Sequence, residues 1–263
     1  MPELVLTYAH NNVFEIILHR PEVRNAINWK MMDALGRAVD QAEKTEGVRA
    51  ILVRGEGEIF SSGLDLMGLP EVAEVFGSNW LERMASVTAA YQGILNKLER
   101  SNLPTIALLR GFALGLGFEI ALACDFRIAA RHTRMGLPET RLGLIPDVGG
   151  TTRLTRLIGP SRAKEMILTA RMVTPDEAER WGLVNRVTAE GELFEVGLSL
   201  AEEIMLCAPL AVSSAKSVVN QISDIERGLQ LEALAQTHLI KTDDFSVGVE
   251  SMLAKSDPKW SGK

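Results

Sequence analysis

Ile106–Ala129 reads IALLRGFALGLGFEIALACDFRIA. Its apolar opening, Ile106–Arg110, predicts a strand. A glycine-bearing turn follows, and Gly115–Ala123 then predicts a short apolar helix. Phe126–Ala129 predicts another strand. Strand, turn, helix and strand in such close succession imply helices layered on a sheet. The amides of a helix's first turn have no intrahelical partner, and with the helix dipole they favour negative charge. Gly115 and Gly117 let a ligand approach that turn closely, and Glu119 sits within it. Read alone, the glycines are better explained by close strand–helix packing, with Glu119 as an exposed dipole partner, because a lone glycine motif is weak.

The alternation extends outward from this stretch. Leu4–Ala9 and Val13–His19 predict two strands joined at Asn11-Asn12. Trp29–Lys44 predicts an amphipathic helix with Met32, Leu35, Ala38 and Val39 on one face. Ala50–Arg54 predicts a strand, Gly55–Gly68 a functional loop, and Leu81–Leu98 a second helix. From Pro160 onward the pattern is helical: Ser161–Ala170, Thr174–Trp181, Glu190–Met205, Pro209–Ile222 and Asp224–Leu239. Thr174-Pro175-Asp176-Glu177 is a helix start, with Thr as N-cap, proline at the first position and glutamate three residues on. The fold class read from this order is α/β.

The chain has 263 residues, 46% hydrophobic and 24% charged, enough to bury a sizeable core without disulfides or metals. Its two cysteines, Cys124 and Cys207, form no C-x-x-C and read as thiols in a reducing compartment, so a cytoplasmic location is expected. No leader peptide and no run of about 18 apolar residues is read, so no membrane partner is expected. A net charge of −6 argues against nucleic acid as a partner. None of the four histidines forms a metal or triad pattern, and no metal is expected. Gly115-x-Gly117 lacks the third glycine of a dinucleotide loop, where Ile120 stands.

Two further loops join the first. Phe60-Ser61-Ser62-Gly63-Leu64-Asp65-Leu66 follows a predicted strand, and Leu137–Thr151 reads LPETRLGLIPDVGGT. Together with GFALGLGFEI they resemble the three-part pattern of the crotonase (enoyl-CoA hydratase/isomerase) superfamily. Residues 20–28, RPEVRNAIN, resemble that family's RPxxxNAxN turn, and Ala121–Asp125 its stretch after the glycine loop. Thr242–Phe245, with Lys255 and Trp260, resembles its terminal segment.

The resemblance implies a crotonase-type spiral of ββα units over residues 1–195, carrying an acyl-CoA site. A helical region over residues 196–263 would serve oligomerisation, as a homotrimer or a hexamer. The implied partner is an acyl-CoA thioester, with coenzyme A entering as part of the substrate and no separate cofactor. It implies an oxyanion hole from the backbone amides of Ser62 and Leu116, where the family usually has glycine at position 116. It implies Glu119 and Glu139 as the catalytic carboxylates, and a coenzyme site around Arg24, Ser62, Gly63, Leu64, Asp65 and Gly115. Lys255 or Lys259 is a further candidate for the nucleotide, although a surface Arg or Lys is more often merely solvated. Glu139 could instead be a turn residue after Pro138.

Asp147 departs from the hydratases of the family, which carry glycine there. It reads either as a third catalytic carboxylate, resembling dienoyl-CoA isomerases and hydroxyacyl-CoA hydrolases, or as an N-cap for a helix beginning near Gly149. Four activities follow in order. They are 2-enoyl-CoA hydration, double-bond isomerisation using Asp147, thioester hydrolysis, and a non-catalytic scaffold or RNA-binding role.

Overall fold

The computed structural model describes residues 3–222, 242–254 and 256–263. Its main sheet has six strands: β1 (Val5–His10), β2 (Val13–Leu18), β3 (Ala50–Gly55), β4 (Thr105–Leu109), β6 (Phe126–Ala130) and β8 (Arg186–Thr188), hydrogen-bonded in that order. β1 pairs antiparallel with β2, placing Val5 opposite Leu18, and every other pairing is parallel. Two three-residue strands, β5 (Phe112–Leu114) and β7 (Arg134–Gly136), pair separately and in parallel.

Parallel strands bury both faces, so they read as continuous apolar runs. The two faces separate by the period of two. Ile51 and Val53 of β3, with Ala107 and Leu109 of β4, pack beneath α1 (Trp29–Lys44) and α3 (Met84–Arg100). Ala50, Leu52, Ile106 and Leu108 face the other way, against Leu193, Leu200 and Ala201 of α7 (Leu193–Met205). Gly197 lets α7 sit close, because a Cβ there would lie 2.7 Å from a Leu108 methyl.

The α1 limits coincide with those read from sequence. Its N-cap Asn28 accepts the Met31 amide at 3.0 Å. The helix read at Leu81–Leu98 runs instead over Met84–Arg100, preceded by α2 (Leu69–Phe76), where the sequence reading assigned no element. The helix read from Ser161 is the second half of α5 (Gly150–Thr169), kinked at Gly159, where φ is 77°, just before Pro160. α8 spans Pro209–Gln221. The predicted helix Asp224–Leu239 and Lys255 lie outside the described residues. Asp244, buried near the C-terminus, accepts the amides of Ser261 and Gly262 and so pins the terminal segment.

The predicted start at Thr174 forms a full capping box on α6 (Pro175–Arg180): Thr174 accepts the Glu177 amide at 3.3 Å, and Glu177 accepts the Thr174 amide at 3.0 Å. Thr174→Ala should lower the unfolding free energy by about 1 kcal/mol in urea titration, and Thr174→Asp should restore most of it. An alanine variant as stable as the parent would show that packing alone holds α6.

Candidate active site

The three loops meet at one cavity of about 320 Å³. Ser62, Gly63 and Leu64 come from the loop after β3, Gly115, Leu116 and Glu119 from the start of α4 (Leu116–Ala123), and Glu139 and Asp147 from the segment before α5. Two predicted binding residues do not line it. The Arg24 side chain is exposed, and Asp65 turns back into its own loop. There its carboxylate accepts the Met67 and Gly68 amides and pairs with Arg20 at 2.8 Å.

The RPEVRNAIN turn sets this loop's course. Asn25 is fully buried with φ of 50°, and its side-chain amide donates to the carbonyls of Glu56 and Ile59. Ser61 Oγ donates to the Asn25 carbonyl at 2.8 Å. The Ser62 amide donates to the Arg24 carbonyl at 3.0 Å, so the expectation that it helps form an oxyanion hole is corrected. The Ile27 amide donates to Gly63 O at 2.8 Å and the Asp65 amide to Ile27 O at 2.9 Å. In such a parallel pairing the residue between, Leu64, directs its own N–H away from Ile27. Gly63 itself packs against Leu114, whose carbonyl oxygen would lie 2.9 Å from a Cβ there, and Leu64 lines the cavity with Gly115 and Leu116. Leu116 is the first residue of α4, and its amide is one of the orphan donors of that turn.

Glu119 is not an exposed dipole partner; it is 2% exposed. Its Oε1 accepts the amides of Val148 at 2.9 Å and Gly150 at 2.7 Å. The Gly-Gly pair is therefore a steric requirement, because a Cβ on Gly150 would stand 2.7 Å from that oxygen. Burial pushes the Glu119 carboxyl up to about 8, the Gly150 amide opposes it, and the charges of Glu139 and Asp147 add to it. Glu139 opens a short 3₁₀ turn, Glu139–Leu142, that ends on left-handed Gly143. Its Oε2 is buried with no hydrogen-bond partner among the described residues, and burial, with Asp147 adding, also raises its proton affinity.

Asp147 does not cap α5. The N-cap is Gly149, at φ of 103°, and no side chain caps it. The Asp147 carboxylate instead accepts Thr88 Oγ1 at 2.6 Å, while Gln92 donates to its carbonyl at 2.6 Å. Thr88, Gln92 and Tyr91 of α3, and the Val148 and Gly150 amides, went unread in the sequence. The only local signal was the glycine pair beside Asp147. A larger cavity of about 570 Å³ lies between α4, α5 and α8, and its carboxylates, Glu99 and Asp125, are held by Arg153 and Lys216.

The chain matches the enoyl-CoA hydratase/isomerase family over residues 8–263. It is 36% identical over 265 residues to a mouse (Mus musculus) protein named enoyl-CoA hydratase domain-containing protein 2, mitochondrial, covering 98% of this chain and 87% of that one. It is 34% identical to carnitinyl-CoA dehydratase of Salmonella typhimurium over the full length of both. The crystal structure of an enoyl-CoA hydratase from Bacillus anthracis superposes with a TM-score of 0.91 at 34% identity, covering 99% of this chain and all of that one. The α/β fold is thus that of the crotonases, and the chain belongs to the enoyl-CoA hydratase/isomerase family of enzymes.

Proposed function

We propose that the protein hydrates 2-enoyl-CoA thioesters. The observation that carries this reading is a pair of carboxylates lining one cavity, the buried Glu119 and the half-buried Glu139, beside the backbone of Leu64 and Leu116. The thioester carbonyl oxygen sits between the amides of Leu64 and Leu116. Fixed donors of this kind stabilise the enolate oxyanion without reorganising.

Addition of water needs a base at the β-carbon and an acid at the α-carbon. Burial keeps the proton on Glu119 up to about 8, so Glu119 is the proton carrier. With Oε1 bound to two amides, its Oε2 is the oxygen left to donate to the α-carbon. Glu139, whose Oε2 lacks a partner, takes the proton from water as the water oxygen bonds to the β-carbon. The enzyme then returns to its starting state by moving a proton from Glu139 to Glu119. Mass spectrometry after incubation with short and medium 2-enoyl-CoA thioesters should show a gain of one water. Release of free coenzyme A without hydrated thioester would overturn the proposal in favour of hydrolysis.

One observation favours a second reaction, migration of a double bond in a dienoyl-CoA. Asp147 lines the cavity, and its charge is felt by both glutamates. Under the hydratase reading, Asp147→Asn keeps the Thr88 hydrogen bond and leaves hydration of a short enoyl-CoA nearly unchanged. Wild-type protein that isomerises dienoyl-CoA but hydrates no enoyl-CoA, together with an Asp147→Asn loss of about 100-fold or more, would establish isomerisation instead.

A further inference from the structure

The hydroxyl of Tyr91 is out of place in an acyl pocket. Tyr91 is 5% exposed and lines the cavity, and its oxygen is buried with no hydrogen-bond partner among the described residues. Its ring packs edge-on against Trp29 at 5.0 Å, a contact that phenylalanine would make equally well. The oxygen therefore adds nothing to the packing, and an unsatisfied buried hydroxyl costs stability. Native proteins leave few such groups, and those that persist call for an explanation.

Its surroundings narrow the explanation. Tyr91 follows Thr88 by three residues, so both lie on the same face of α3. Thr88 is already committed to Asp147. The nearby acid Glu71 of α2 has its Oε1 3.0 Å from the ammonium of Lys30, an ion pair without hydrogen-bond geometry. Burial, with the Glu71 charge adding, pushes the Tyr91 phenol up to about 12, so it remains a hydrogen-bond donor under any ordinary assay condition. The wall around it is apolar, with Val72, Trp80, Met84 and Val87. A bound hydrocarbon chain would leave the hydroxyl without a partner.

We infer that the cavity is built for an acyl chain that carries an oxygen, hydroxyl or carbonyl, beyond the reacting carbons, and that Tyr91 hydrogen-bonds to it. Tyr91 is then a specificity-determining residue, and the protein prefers oxygenated acyl thioesters to plain ones. A site that supplies a hydrogen bond rejects the analogue lacking the partner, because its own polar group is left unpaired. The inference rests on the acyl-thioester reading of the cavity and names the class of acyl group within it.

The experiment compares short to medium 2-enoyl-CoA thioesters with their ω-hydroxy derivatives, in the parent and in Tyr91→Phe. Both kcat/KM and the Kd of the saturated counterparts are measured. The parent should favour the hydroxylated member by about tenfold or more at one chain length at least. Tyr91→Phe should collapse that ratio, chiefly through KM and Kd, whatever its effect on absolute rates. Equal ratios in parent and variant, or a parent that prefers the plain chain at every length, overturn the inference. So does a variant that melts several degrees lower while treating both series alike, since the hydroxyl would then serve Glu71. If no enoyl thioester is turned over yet the Kd preference appears and vanishes with Tyr91→Phe, the hydratase proposal falls and the specificity assignment stands.

Discussion

Glu119→Gln and Glu139→Gln should each lower turnover of a short 2-enoyl-CoA by at least about 100-fold, while affinity for a saturated acyl-CoA changes little. The glutamine at 119 keeps an acceptor oxygen for the Val148 and Gly150 amides, so the local structure survives and only the transferable proton is lost. Either variant at near-parent activity would sink the two-carboxylate mechanism. A pH dependence follows from the same residue. The form of Glu119 that donates is the protonated one, so kcat/KM should fall as pH rises through about 8. Stability has the same sign. The unfolded carboxyl loses its proton at an ordinary carboxylate pKa while the buried one keeps it, so between about 4.3 and the raised value the native state holds more protons. Stability should therefore decline across that window and level off above about 8, and Glu119→Gln should flatten the decline. A parent whose stability rises through the window would show that Glu119 is ionised when folded.

Leu116→Pro should reduce turnover by about 10²- to 10³-fold by removing a single N–H. Leu116 is the first residue of α4, the one helical position where proline is accommodated and where the lost donor has no intrahelical acceptor. The comparison is Leu116→Ala. It gives up leucine's bulk in the same way, and it keeps the amide. Both variants should melt lower than the parent, since Leu116 is 4% exposed, but only the proline should lose catalysis per folded molecule. Equal activity in the two folded variants would remove the Leu116 amide from the oxyanion hole.

What could be read along the chain differed from element to element. α1 was legible to its ends, because Asn28 caps it and its apolar face recurs with helical spacing. α2 was not, because Gly68 and Gly77 punctuate a segment of only eight residues. That helix owes its form to tertiary contacts: Val72 is buried, and Phe76 meets Trp29 edge-on at 4.7 Å. Strands β5 and β7 are three residues each, too short to display a period. A helix start near Gly149 was legible, but not the reason for Gly149-Gly150, where a Cβ would collide with Arg153 and Glu119.

The candidate site divides along the same line. The sequence by itself determined the α/β order and the three loops, since hydrophobic period and glycine placement are local properties of the chain, and the resemblance carried by those loops pointed to the two glutamates. Tertiary structure alone decided which amide is spent on the backbone. Ser62 and Leu64 are neighbours of the same glycine, and nothing local separates them. The pairing of Ser62 with Arg24 consumes the Ser62 N–H, and that of residues 63 and 65 with Ile27 directs the Leu64 N–H away from Ile27. It also decided that Asp147 answers to Thr88 rather than to its own helix, because a side chain's partner is chosen by what the fold brings within hydrogen-bond reach, here 59 residues away in the chain.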